Sequence, residues 1–376
     1  MITLLFVIVI LAAFSWYFSN QILKPAPYSL LPEFKVLAMD AHSVTLPQPP
    51  SKAQFANSKA EGLYNLLWEN ADGSLSYGEL GPIISEDATS VRRIFSLRHG
   101  QNAAANSPAR LDNWFFRENP QQDYGYDYED LSFQGQAGEV KAWWLAQQRG
   151  ETKDTAILMI HGRRRGELKE TLRAMPTLVE LGYSVLSISY RNHSGSAMSQ
   201  DGLYHYGATE WQDVKLGYDF LKEQGFERVV LYGFSMGAAI SLELLERLED
   251  KSHIQALILD SPMLDAPTVF LTGARQLGLP DILSNLAITV AGWRIGINWS
   301  SLDQRLLASQ MTQPILLIGG VRDSTIPISL LDDFASRVKS PLVYKRIDEA
   351  EHVESWNLDP QAYATWLTDF LSQYTP

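Results

Sequence analysis

The sequence predicts an α/β protein, a mostly parallel sheet with helices on both faces. Two observations predict it. From about residue 126 onward, short apolar runs of strand length alternate with segments of helical periodicity. One of those runs, residues 229–232, also ends in Gly233-Phe234-Ser235-Met236-Gly237 and passes straight into a helix-forming stretch over 238–248. Parallel strands need a long crossover between them, usually a helix, so the alternation and a parallel sheet imply each other.

The chain has 376 residues, enough for one large α/β domain with an appended region. A hydrophobic content of 45% with 20% charged residues describes a globular protein. The formal net charge of −12, with no broad basic face, excludes general nucleic-acid binding. There is no cysteine, so disulfides, thiolate nucleophiles and Cys-ligated metals are excluded as well.

Residues 1–23 open the chain, and 2–18 are almost wholly apolar and uncharged, with Trp16 and Tyr17 near one end. The expectation is a single-pass transmembrane anchor. A cleaved signal peptide, leaving a secreted protein, and a buried core helix are the competing readings. Lys24 and Lys35 follow the run and only the terminal amine precedes it, which leans towards a cytoplasmic catalytic domain. Residues 24–50 carry Pro25, Pro27, Pro32, Pro47, Pro49 and Pro50 and read as an extended tether. Residues 51–119 read as a small β-rich accessory region whose aromatic residues form its own core. There, runs at 63–68 and 75–80 flank Asn70-Ala71-Asp72-Gly73, which is hairpin chemistry, and 91–97 gives another strand.

Residues 120–376 hold the α/β pattern. An antiparallel pair is expected over 128–133 and 139–146, followed by buried strands at 155–160, 184–189, 228–232, 255–259, 314–319 and 342–347. Helices are expected at 168–181, 209–224, 238–248, 328–338 and 360–371. The alternation breaks between the fourth and fifth buried strands, where about 262–307 forms a helical insertion that would cap the sheet's C-terminal edge.

The chemistry centres on Ser235. Glycine at Gly233 and Gly237 removes the β carbons that would obstruct a sharp strand-to-helix turn. That turn presents the serine hydroxyl at a helix N-terminus, where free N–H groups favour a developing oxyanion. A serine needs a base held by an acid. Asp323 follows the strand at 314–319, and His352 follows the strand at 342–347. Both sit just past strand C-termini, the edge where open α/β sheets place their chemistry. Asp323 also reads as a turn or cap residue and His352 as a solvated loop histidine; the order serine, acid, histidine favours the catalytic reading. His253 precedes a strand and so lies at the wrong end of the sheet.

With these residues in place, the chain over about 126–376 resembles the α/β-hydrolase family, specifically bacterial serine hydrolases of the esterase-like and prolyl-peptidase-like branches. Ile160-His161-Gly162 resembles the family's oxyanion-loop H-G. Residues 189–196 resemble its D-Y-R-G-x-G-x-S segment, and 207–214 resemble the entry to the helix before the nucleophile strand. Gly319-Gly320-x-x-Asp323 and the turn Glu351-His352 complete the likeness. The resemblance implies an α/β-hydrolase fold, an oxyanion hole made by the backbone N–H groups of Met236 and Arg163, and a loop-shaping role for His161 and Gly162. Arg163-Arg164-Arg165-Gly166 departs from the glycine-richer loop of many relatives. It reads as a solvated basic turn, paired with Glu167 and Glu170, or as a cationic entrance for an anionic substrate.

The expected activity is hydrolysis of an acyl bond, a carboxylic ester in the first instance, with no cofactor and no metal. His193 and His205 lack zincin-type spacing. A serine peptidase of the proline-iminopeptidase or prolyl-oligopeptidase type, a cofactor-free haloperoxidase-like activity and a non-catalytic membrane protein of the same fold are the alternatives. The expected partners are a small-molecule acyl substrate and, through the N-terminal helix, the membrane; the sequence sets no oligomeric state.

Overall fold

Backbone pairing sorts the strands of the computed structural model into two sheets, one in each of two units. The structure describes residues 2–25, 32–49, 58–151, 153–163 and 167–375. Elements are numbered in chain order.

One unit comprises Pro27–Arg117 with Trp356–Gln361. Its strands are β1 (Phe34–Lys35), β2 (Ala38–Met39), β3 (Ser43–Pro47), β4 (Tyr64–Glu69), β5 (Leu75–Glu86), β6 (Ser90–His99) and β7 (Pro108–Asp112). They form an antiparallel sheet in the order β1-β7-β4-β5-β6-β3-β2. The predicted hairpin is β4–β5, turning through Asn70–Gly73, where Gly73 adopts φ 80°. Val44, Leu46, Leu66, Trp68, Leu80 and Phe95 fill its core, with Trp68 and Phe95 in ring contact at 5.9 Å.

The tether expected over 24–50 is corrected here, because β1 to β3 lie within it and pair into the sheet. Between Pro32 and Pro47 the chain has no proline, so every N–H in that stretch is available for pairing. Pro27, Pro50 and 51–57 lie outside the described residues. A segment from near the C-terminus also joins this unit. Asn357, fully buried, donates through Nδ2 to the carbonyls of Leu63 (2.7 Å) and Asn113 (2.8 Å).

The other unit comprises Met1–Ala26, Glu118–Ser355 and Ala362–Pro376. Its sheet runs β15-β14-β13-β12-β10-β11-β9-β8, from β8 (Glu129–Gly135), β9 (Gly138–Leu145), β10 (Thr155–Ile160), β11 (Ser184–Ile188), β12 (Arg228–Phe234), β13 (Ile254–Asp260), β14 (Ile315–Gly320) and β15 (Leu342–Ile347). Pairing is parallel from β11 through β15 and antiparallel at β8–β9–β11. Every residue of β10, β11 and β14 is buried, which is why these strands read as unbroken apolar runs, not as alternating ones.

Seven helices of this unit are named here: α1 (Ile2–Leu23), α2 (Pro120–Tyr124), α3 (Met175–Glu180), α4 (Trp211–Glu223), α5 (Met236–Arg247), α6 (Ala266–Gln276) and α7 (Asp281–Arg294). After β14 comes α8 (Ile328–Arg337), then α9 (Ser355–Leu358) and the C-terminal α10 (Pro360–Tyr374). The helix expected over 168–181 is two pieces, a 3-10 segment at Glu167–Arg173 and then α3. Pro176 in the first turn of α3 lacks an N–H for a continuous helix, so the segment restarts there. The insertion between β13 and β14 holds α6, α7 and three 3-10 turns. It lies at the C-terminal edge, where Met263 N–H donates to the Ser235 carbonyl and Gln276 donates to the Ser324 carbonyl.

The expected transmembrane anchor is not supported: among the described residues no helix is long and apolar enough to cross a membrane. The second half of α1 packs on protein. Ser15, Ser19 and Leu23, four residues apart on one face, are buried. Arg294 of α7 donates to Ser19 Oγ (2.6 Å) and Asn20 Oδ1 (2.9 Å), and its guanidinium lies 4.1 Å over the Trp16 ring. The last carbonyls of the helix are met by Tyr206 OH, at Ile22, and by Tyr204 N–H, at Leu23 (2.8 Å).

Candidate active site

β12 ends at Phe234 and α5 begins at Met236, so Ser235 takes the whole turn. Its φ of 52° and ψ of −115° are costly for a residue with a β carbon, about 1–3 kcal/mol. The flanking glycines explain how the turn closes. A β carbon on Gly233 would stand 2.3 Å from the Ala238 Cα, and one on Gly237 would stand 2.2 Å from the Ile160 carbonyl oxygen. The turn is held on both sides: Ser235 N–H donates to the Asp260 carbonyl (2.9 Å), and its own carbonyl accepts from Met263.

The loops after β14 and β15 bring Asp323 and His352 to this point. Ser235 Oγ lies 3.0 Å from His352 Nε2, and His352 Nδ1 lies 2.7 Å from Asp323 Oδ2. An ionised carboxylate only accepts, so Asp323 places the proton on Nδ1 and leaves the Nε2 lone pair facing the serine hydroxyl. Asp323 Oδ1 meanwhile accepts from the N–H groups of Thr325 (2.8 Å) and Ile326 (2.7 Å). Asp323 is therefore a turn residue and the imidazole's partner at once. The loop carrying His352 is fixed by Val353, whose N–H reaches Ser261 Oγ (3.2 Å) and whose carbonyl accepts from the Arg173 guanidinium (2.5 Å). Burial opposes charge on His352, but the Asp323 carboxylate, its hydrogen bond and the nearby Glu170 and Asp260 outweigh it and raise the pKa above 6.5.

Met236 is the first residue of α5, so its N–H has no carbonyl one turn back to bond. Arg163 follows His161-Gly162 after β10, and its carbonyl accepts from His193 Nε2 (2.8 Å) and Tyr204 OH (3.2 Å). His161 is fully buried, bonded to the Gly162 carbonyl (2.7 Å) and Ser189 Oγ (3.2 Å) and stacked on Tyr190. Burial holds its pKa well below 6.5. His193, likewise buried, is lowered to about 4. His205 pairs with Asp201 at 2.8 Å. Among the described residues, no cluster of His, Cys, Asp or Glu could hold a metal ion.

The basic loop is described only at Arg163, since Arg164–Gly166 lie outside the described residues. The Arg163 guanidinium sits 5.4 Å from the rings of both Tyr204 and Tyr206. Glu167 and Glu170 accept backbone N–H groups of Ser194 and Gly162; their expected pairing with Arg164 and Arg165 lies outside the described residues. Two buried charged groups close to the site were not legible in the sequence, Glu170 and Asp260. Asp260 is fully buried and accepts from Tyr363 OH (2.7 Å) and Ser261 OH (3.1 Å). Nothing local marks a carboxylate at a strand end, or in a helical turn, as interior.

Comparison with known proteins agrees with this architecture. The esterase Pf2001 of Pyrococcus furiosus superposes with a TM-score of 0.55 at 22% identity, over 69% of this chain and 94% of its own. The fold is that of the α/β hydrolases. A family model described as serine aminopeptidase, S33, matches residues 151–326. The uncharacterized protein YfhR of Escherichia coli (strain K12) is 24% identical over 268 residues, 68% of this chain and 86% of that protein. A carboxylesterase of Bacillus subtilis (strain 168) is 32% identical over 92 residues, 24% of this chain and 36% of that enzyme. The chain is thus similar to serine hydrolases in fold and sequence.

Proposed function

We propose that the chain is a serine hydrolase that cleaves an acyl bond through Ser235, His352 and Asp323. The observation that carries this reading is the continuous hydrogen-bonded chain from Ser235 Oγ through His352 to Asp323 at the C-terminal edge of the sheet. Ser235 Oγ attacks the substrate carbonyl while His352 Nε2 takes its proton. The tetrahedral oxyanion is held by the N–H groups of Met236 and Arg163, where loss of one such donor typically costs about 2.7–4 kcal/mol. The carbonyl then re-forms, the bond to the leaving group breaks, and His352 returns the proton to that group. Water attacks the acyl-enzyme by the same route, releasing the acid and restoring Ser235. Every proton is accounted for by His352, and no cofactor enters.

A small-molecule carboxylic ester is the preferred substrate, supported by the similarity to the carboxylesterase. The aminopeptidase description of the matching family supports a peptide as the second reading. The test is turnover by the full chain of p-nitrophenyl esters of increasing acyl length and of aminoacyl p-nitroanilides, beside Ser235→Ala. Ester turnover that falls about a thousandfold or more in the variant is the expected result. Anilide turnover without ester turnover would replace the ester by the peptide, and activity unchanged in Ser235→Ala would end the serine mechanism.

A further inference from the structure

Glu170 is a buried carboxylate that the reaction above does not use. It lies in the 3-10 segment after the oxyanion-side loop, and its Oε2 accepts the Gly162 N–H at 2.5 Å. It also stands beside the nucleophile. A β carbon placed on Gly162 would be 3.1 Å from Glu170 Oε2 and 3.2 Å from Ser235 Cβ, so carboxylate and serine converge on one point. Among the described residues, no ion pair reaches it. Arg173, the cation on its own segment, spends its guanidinium on the backbone carbonyls of Glu170 (3.2 Å) and Val353.

A buried carboxylate without a direct ion pair is expensive. A glutamine could accept the same N–H at far lower cost, so holding the loop does not by itself account for the charge. Among the described residues, the charged groups around it are Arg173 on its own segment, Asp260 at the end of β13 and His352 on the loop after β15. Asp260 is already engaged by two hydroxyl groups. Burial, with a smaller push from Asp260, raises the pKa of Glu170 overall, against Arg173, the Gly162 hydrogen bond and His352, which favour its charged form.

We propose that Glu170 is a positioning residue with two effects: it clamps Gly162 so that the next N–H, that of Arg163, faces the oxyanion, and its negative charge stabilises the His352 imidazolium. This role rests on the hydrolase reading above. When His352 takes the serine proton, its positive charge is met by Asp323 on one side and by Glu170 through space, and no bond to Glu170 forms or breaks.

The test compares Glu170→Gln and Glu170→Ala with the wild-type full chain, using p-nitrophenyl ester kinetics against pH and an NMR titration of the His352 imidazole. Glu170→Gln keeps an acceptor for Gly162 and removes only the charge. The expected result is a lower His352 pKa, with the acid limb of kcat/KM moved to lower pH by the same amount and KM unchanged. Glu170→Ala should lose about a further tenfold in kcat, as expected for one hydrogen bond to a charged group. Ester turnover combined with an unmoved His352 titration in Glu170→Gln would overturn this role alone. A wild-type protein without turnover on any acyl substrate would remove the role together with the hydrolase reading.

Discussion

At the scale of the residue, the site depends on how each polar group is oriented. His352 has one nitrogen on Asp323 and the other on Ser235, and the carboxylates around it favour its protonated form. In the proposed mechanism the base must be neutral to act, so activity should be lost as pH falls through the raised pKa. The acid limb of kcat/KM should therefore have its midpoint above 6.5, and Asp323→Asn should move that midpoint down, because the main charge raising it is gone. A pH–rate profile of the two proteins checks both statements. A midpoint below 6.5 in the wild type would mean that burial outweighs the carboxylates. Ser235, Asp323 and His352 were each legible because a strand with a recognisable C-terminus precedes them. Glu170 was not, because its neighbours in sequence are those of an exposed helical turn and only the fold places Gly162 and Ser235 against it.

At the scale of the element, the passage from β12 to α5 was legible down to its glycines, because the constraint is local. Two backbone segments approach within a β carbon's radius, and no side chain fits between them. Gly237→Ala should force the Ile160 carbonyl or the helix to move, costing about 1–3 kcal/mol and displacing Met236 N–H. A thermal melt and ester kinetics on the one variant would read stability and geometry separately; unchanged values in both would show that the contact relaxes freely. The N-terminal helix went the other way. Its apolar composition suits lipid and protein equally, and composition carries no record of which side chains meet a neighbour. The α7 contacts of Ser19, Asn20 and Trp16 exist only once Arg294, some 270 residues later, has been placed. Tyr204 and Tyr206, whose rings flank the Arg163 guanidinium, also close the last turn of α1.

At the scale of the whole molecule, the chain divides into two units whose boundaries do not follow the order of the sequence. The β-rich unit takes in Trp356–Gln361, although the residues on either side belong to the α/β unit. Asn357 is the link that can be tested. Its side chain holds two carbonyls of the β-rich unit, so Asn357→Ala should lose about 1–3 kcal/mol of that unit's stability. Hydrogen exchange would show it as faster exchange in β4 and β7 with the β10–β14 core unaffected. Equal protection in variant and wild type would mean that the ring contacts with Phe115 and Phe116 and the Leu63 N–H bond to the Asn357 carbonyl suffice to hold the segment.

The sequence by itself determined the alternation that builds the α/β sheet, the strand–turn–helix at Ser235, the insertion after β13 and the strand exits that carry Asp323 and His352. Each of these is built from local stretches of sequence, where sterics and periodicity act. The tertiary structure alone decided that α1 packs on α7, that residues 34–47 enter a sheet, that Trp356–Gln361 joins the β-rich unit and that Glu170 is buried beside Ser235. Each of these depends on a partner distant in the chain, and the free energy of burial or pairing belongs to both partners together, so neither segment read alone records it.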